Sequence, residues 1–133
     1  MNKIFLFTAL LLAACGGKQK DYHKAEDALD AGREFIGACL VGDFSKASFF
    51  MLPSENNNKI LKETEKTYRE KDKEGRQQYR LASINISEVT DLNAVTTVIK
   101  YSNSYDKIPH TLQVVKKNES WLVDLSTNPH PIP

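Results

Sequence analysis

The chain is poor in the residues that usually carry metal, redox or phosphate chemistry. Its 133 residues hold two cysteines, three histidines and one tryptophan. Two cysteines cannot build a framework of several disulfides. His23, His110 and His130 stand far apart, with no cysteine or carboxylate at ligand spacing, so neither a metal site nor a cofactor is expected. There is no glycine-rich phosphate loop, since Gly16-Gly17 stands alone. There is no Gly-x-Ser-x-Gly and no cysteine-histidine arrangement suited to nucleophilic attack. Charge of one sign is missing too. Eighteen basic residues face 17 acidic ones for a net charge of +1, which leaves no electrostatic footprint for nucleic acid. Long apolar runs are also absent. The stretch from Ile4 to Leu12 would reach only about 14 Å as a helix, against a hydrocarbon thickness of about 30 Å.

That short run matters for another reason. Lys3 precedes it, and Leu12-Ala13-Ala14-Cys15 ends it. A basic start, a compact apolar stretch and small residues before a cysteine look like a bacterial lipoprotein signal. The resemblance implies a diacylglyceryl group on the Cys15 thiol, cleavage before Cys15, and a further acyl chain, such as palmitate, on the new amino group. One acyl chain binds a membrane marginally, whereas two or three hold it stably. The expected organisation is a signal peptide over residues 1–14, a lipidated cysteine and tether over 15–20, one domain over 21–127, and a proline-rich tail over 128–133. The expected location is the bacterial cell membrane or outer membrane, with the domain outside the cytoplasm. With Cys15 carrying lipid, Cys39 has no partner in the chain; its apolar helical surroundings predict a buried, inert thiol.

Within the domain the apolar period changes once. Asp21 is a plausible cap for a first helix with Ala25, Leu29, Gly32, Phe35, Ile36, Cys39 and Leu40 at helical spacing. Gly42-Asp43 breaks it, and Asp43 caps a short piece with Phe44, Ala47, Phe50 and Met51 that Pro53 stops. A charged helix is expected over about 58–78 with a thin stripe of Leu61, Thr64 and Tyr68, and Gly75 weakens or ends it. From Arg80 the period becomes two. Four strands follow over about 81–89, 94–105, 108–117 and 120–125, with Asp91-Leu92-Asn93 as the first turn. Pro109 indicates an edge position or a strand start. Short turns imply antiparallel pairing. Val95, Ile99, Leu112, Val114, Trp121 and Val123 are expected in the core, along with Phe35, Ile36, Leu40, Phe44, Leu61, Ile84 and Ile86. The expected class is α+β, with N-terminal helices packed on a curved antiparallel sheet of about four strands.

The break at Phe35 through Gly42-Asp43-Phe44-Ser45-Lys46-Ala47 and the closing hairpin Lys117-Asn118-Glu119-Ser120-Trp121-Leu122-Val123-Asp124 resemble the cone-shaped nuclear-transport-factor-2-like fold, also called cystatin-like. Among its members the chain is similar to small lipoproteins of unknown function. The resemblance implies a pocket between sheet and helices, which Tyr68, Tyr101, His110 and Asp124 are placed to reach. No pattern of a catalytic site joins these four, so the chain reads as no enzyme. Three roles stay open: a module binding a small apolar ligand or a peptide, a protein-interaction module that forms a homodimer through its sheet, and an isomerase- or dehydratase-like enzyme.

Overall fold

The computed structural model describes residues 20–127 and Ile132. The stretch expected to be a signal peptide and Cys15 lie outside the described residues, as does the tail apart from Ile132. The first helix, α1 (Ala28–Val41), begins at Asp27 rather than Asp21. The Asp27 carboxylate accepts the Asp30 N–H at 2.8 Å, satisfying a donor that the first turn leaves open. Ala25 stays outside the helix and packs half-buried against the core. Gly42 ends α1 in the left-handed conformation, with φ of 78°. Its N–H donates to the Cys39 carbonyl and that of Asp43 to the Ala38 carbonyl, closing the last turn.

Asp43 then caps α2 (Phe44–Phe49) through the Lys46 N–H. This helix stops before Pro53 is reached, because the chain straightens to lie beside the last strand. The Leu52 N–H donates to the Val123 carbonyl, and the Val123 N–H to the Phe50 carbonyl, both at 2.8 Å. Ser54 caps α3 (Glu55–Glu70). The expected single charged helix is in fact two, since α4 (Lys73–Leu81) follows a break at Lys71 and Asp72. Asp72 makes the break by capping α4, accepting the Gly75 N–H at 2.7 Å. Gly75 therefore sits in the first turn of a helix instead of ending one.

Four strands, β1 (Ile84–Asn93), β2 (Thr96–Asn103), β3 (His110–Lys117) and β4 (Ser120–Asp124), form one open antiparallel sheet in the order of the chain. The class is α+β, with helices packed on the sheet. The first turn is Ala94-Val95, not Asp91-Leu92-Asn93. Val95 is accordingly 49% exposed and lies outside the core. Pro109 stands just before β3, which is an interior strand, so it marks a start and not an edge. In β1, Ser87 and Leu92 fall outside the ladder and form two bulges. The bulge at Ser87 resets the alternation: Ile86 opposes Tyr101, yet Val89 opposes Ile99 and Asp91 opposes Thr97.

The core lies between α1 and this sheet face. Phe35, Ile36, Cys39 and Leu40 meet Ile99, Leu112, Val114 and Val123, all buried. Helix α1 approaches β2 closely at Gly32, where a Cβ would stand 2.6 Å from the Ile99 Cδ1. Trp121 is half-buried at the margin of the core, so its removal does not carry the ~3–5 kcal/mol of a fully buried tryptophan.

Candidate functional site

Where α1 begins, helix and sheet leave a cleft of about 320 Å³. Leu29 of α1, Val89 of β1 and Trp121 of β4 give it apolar walls. Asp27, Asp91 and Asn93 supply its polar groups. Each position follows from local structure. Asp27 is there because it caps α1, and it keeps Oδ1 for the Asp30 N–H. Asp91 faces the cleft because the Ser87 bulge turns it to the inner face opposite Thr97. The buried Thr97 hydroxyl donates to Asp91 Oδ1 at 2.7 Å and fixes the carboxylate. No hydrogen bond among the described residues uses the second oxygen of either carboxylate. The Lys116 ammonium sits 5.7 Å from the centroid of the Trp121 ring. Such a cleft suits a ligand with an apolar body and a donor or cationic group.

The four residues suggested by the sequence do not share a pocket. Tyr101 and His110 do meet, as neighbours on β2 and β3 with stacked rings 5.3 Å apart. They sit at the opposite end of the sheet and line none of the five clefts described among these residues. Tyr101 is 2% exposed, and burial, with Cys39 and Asp106 nearby, pushes its hydroxyl pKa well up. Asp124 lies on the other face of β4, opposite Gln113. Burial works to raise its pKa, but hydrogen bonds from Ser126 and Asn57 prevail and hold it below the usual carboxylate value. Tyr68 lines a separate cleft beside Gly42, between α1, α3 and α4.

A bonded polar network closes the end near Tyr101. Asp106 Oδ2 accepts from the Tyr79 hydroxyl at 2.9 Å, and Oδ1 accepts from the Asn103 amide and the Ile108 N–H. Burial and this bond push Tyr79 up to about 12. The Cys39 thiol is fully buried and also shifted up by desolvation, so it is a poor nucleophile. Among the described residues no group of three His, Cys, Asp or Glu side chains is placed to hold a metal ion, and no helix is long and apolar enough to cross a membrane. The sequence signalled neither Asp91 nor Asn93 as cleft residues, because a bulge leaves no periodic trace. No protein-family model matches the chain, and no curated protein matches it.

Proposed function

We propose that this is a lipid-anchored protein of the bacterial cell envelope whose domain binds a small amphipathic ligand, or a side chain of a protein partner, in the cleft between α1 and the sheet. The anchor rests on Leu12-Ala13-Ala14-Cys15 after a short apolar run. The binding reading rests on one observation: Trp121 and Val89 line the same open cleft as Asp27 and Asp91, each of which has a carboxylate oxygen that no hydrogen bond among the described residues uses. Helices packed on an antiparallel sheet also agree with the nuclear-transport-factor-2-like resemblance, in which such a cleft is the usual binding place. An isomerase- or dehydratase-like enzyme is the second reading; it would draw its base from Asp27 or Asp91 in this cleft and not from Tyr101, which is sealed by packing.

Two measurements test this reading. Cys15→Ser is expected to move the protein out of the membrane fraction, and a variant that still sediments with membranes would refute the anchor. Trp121 is the only tryptophan, so its emission reports on the cleft directly. Octylamine and short lysine-bearing peptides are expected to shift that emission saturably, octanol less so, and Asp91→Asn is expected to weaken the amines about tenfold. Equal binding of octanol and octylamine would defeat the proposed role of the carboxylates.

A further inference from the structure

A second cleft, of about 370 Å³, lies at the far end of α1, where α3 and α4 meet. Its composition differs from the first. Arg69, Arg76 and Arg80 converge on it, and Val41 and Phe44 form an apolar side. The arginines are held in place by different partners. Arg69 binds Glu65 through Nε and Nη2, at 3.0 and 2.6 Å. Arg76 donates from one terminal nitrogen to the Arg69 and Lys71 carbonyls, which satisfies the end of α3. Arg80 donates Nε–H to the Tyr68 hydroxyl at 3.0 Å.

This arrangement leaves donors and charge unspent. Among the described residues no carboxylate pairs with Arg76 or Arg80. Among the described residues no hydrogen bond uses the terminal nitrogens of Arg80. Tyr68 is 6% exposed and lines the cleft, and its hydroxyl only accepts, so its own proton has no acceptor among these bonds. The ring is fixed against Gly42, where a Cβ would stand 2.5 Å from Tyr68 Cε1. Guanidinium forks with an adjacent phenolic donor match the oxygens of phosphate in charge and geometry.

We infer that this arginine cleft binds a phosphate group, with Arg80, Arg76 and the Tyr68 hydroxyl as donors. The inference does not depend on the α1–sheet cleft. Two sources share this chemistry, a soluble phosphate ester and a phospholipid headgroup. The headgroup is favoured by position. Lys20, the first described residue, stands 3.8 Å from Asp43, next to the Gly42 that floors the cleft. Four residues separate Lys20 from Cys15, and the five steps between them reach about 17 Å when extended. An acyl chain on Cys15 would hold Lys20 within that distance of the headgroups and the cleft close beyond it, so this preference for one source, unlike the site itself, rests on the proposed anchor.

The test uses the full chain in uncharged detergent micelles. Inorganic phosphate and glycerophosphoglycerol, a soluble lipid headgroup, are titrated while the arginine Nε–H resonances and the melting temperature are followed, with chloride at matched ionic strength as control. Phosphate is expected to raise the melting temperature saturably. Arg80→Gln is expected to weaken binding about tenfold or more, the loss of hydrogen bonds to a charged group. Tyr68→Phe keeps the ring on Gly42 and is expected to weaken binding as well, which covers the case of an Arg80 variant that folds poorly. Binding of glycerophosphoglycerol as tight as that of phosphate supports the headgroup source, and binding of phosphate alone overturns that source while upholding the site. A chloride response equal to that of phosphate, or binding undiminished in both variants, overturns the site.

Discussion

Asn57→Ala is expected to be among the most destabilising single changes in this domain. Asn57 is fully buried at the start of α3, and its amide is fully employed. The nitrogen donates to the Leu52 carbonyl at 3.0 Å and to Asp124 Oδ1 at 3.2 Å, while the oxygen accepts the Leu125 N–H at 3.1 Å. One side chain therefore ties the α2–α3 connection, α3 and the end of β4 together. Three hydrogen bonds at about 1 kcal/mol each, plus the desolvation of an orphaned Leu125 N–H worth about 1–3 kcal/mol, give a loss of roughly 4–6 kcal/mol. That is a large share of the ~5–15 kcal/mol by which a domain is usually stable. Urea titration followed by circular dichroism measures it, with Asn58→Ala, an exposed neighbour on the same helix, expected within about 0.5 kcal/mol of wild type. A loss below about 1 kcal/mol for Asn57→Ala would refute the reasoning.

Asn57→Asp separates the hydrogen bonds from the volume. The shape is kept, but a carboxylate now faces Asp124 across the 3.2 Å contact and cannot donate. Burial and the like charge raise the folded-state pKa of the new group above its unfolded value. The folded state then binds more protons, so the variant loses stability as pH rises through that interval and recovers toward wild type on acidification. A stability deficit independent of pH would show that packing, and not the polar pairing, is what Asn57 supplies.

The other predictions concern separate sites. Asp124 is held below its ordinary 3.8, so its contribution is present above that pH and is lost as pH falls through the lower folded value; Asp124→Asn should flatten this acid limb in a stability–pH profile. Gly42→Ala combines a backbone at φ 78° with a clash on Tyr68, and should cost more than the ~1–2 kcal/mol of the left-handed conformation alone, read from the melting temperature. Cys39 should resist a disulfide reagent in the native protein and react fully in denaturant, and rapid native labelling would contradict its burial.

Much of the architecture was legible because it follows local rules. Gly42-Asp43 ends one helix and starts another by backbone freedom and side-chain capping, which neighbouring residues alone decide. The change of period near Arg80 separated helices from strands, and alternation placed Ile99, Tyr101, Leu112 and Val114 on one face. The misreadings arise where tertiary contacts choose among equivalent local options. Asp21, Asp27 and Asp72 are all competent caps by residue type, and the sequence alone does not rank them; the structure uses Asp27 and Asp72, the latter breaking the charged stretch in two. The Ser87 bulge shifts the face of Val89 and Asp91, so the cleft residues could not be derived from simple alternation. Tyr68 was reached through helical spacing, but the arginines around it come from two helices whose junction the sequence leaves unmarked.

The proposed binding at the end of the sheet where α1 begins agrees with how hydrogen bonds are spent at the two ends. At the closed end Asp106 spends both oxygens, on Tyr79, Asn103 and Ile108. The Asn103 oxygen accepts the N–H groups of Tyr105 and Asp106. A ligand entering there would leave buried groups without partners, each at a cost of about 1–3 kcal/mol. At the open end Asp27 and Asp91 use one oxygen each. A ligand there adds hydrogen bonds without breaking any, and it covers the half-exposed Trp121 as it does so. Tyr101 and His110 stack in the packed interior, whereas the proposed ligand would meet one carboxylate oxygen each of Asp27 and Asp91 that no hydrogen bond among the described residues uses.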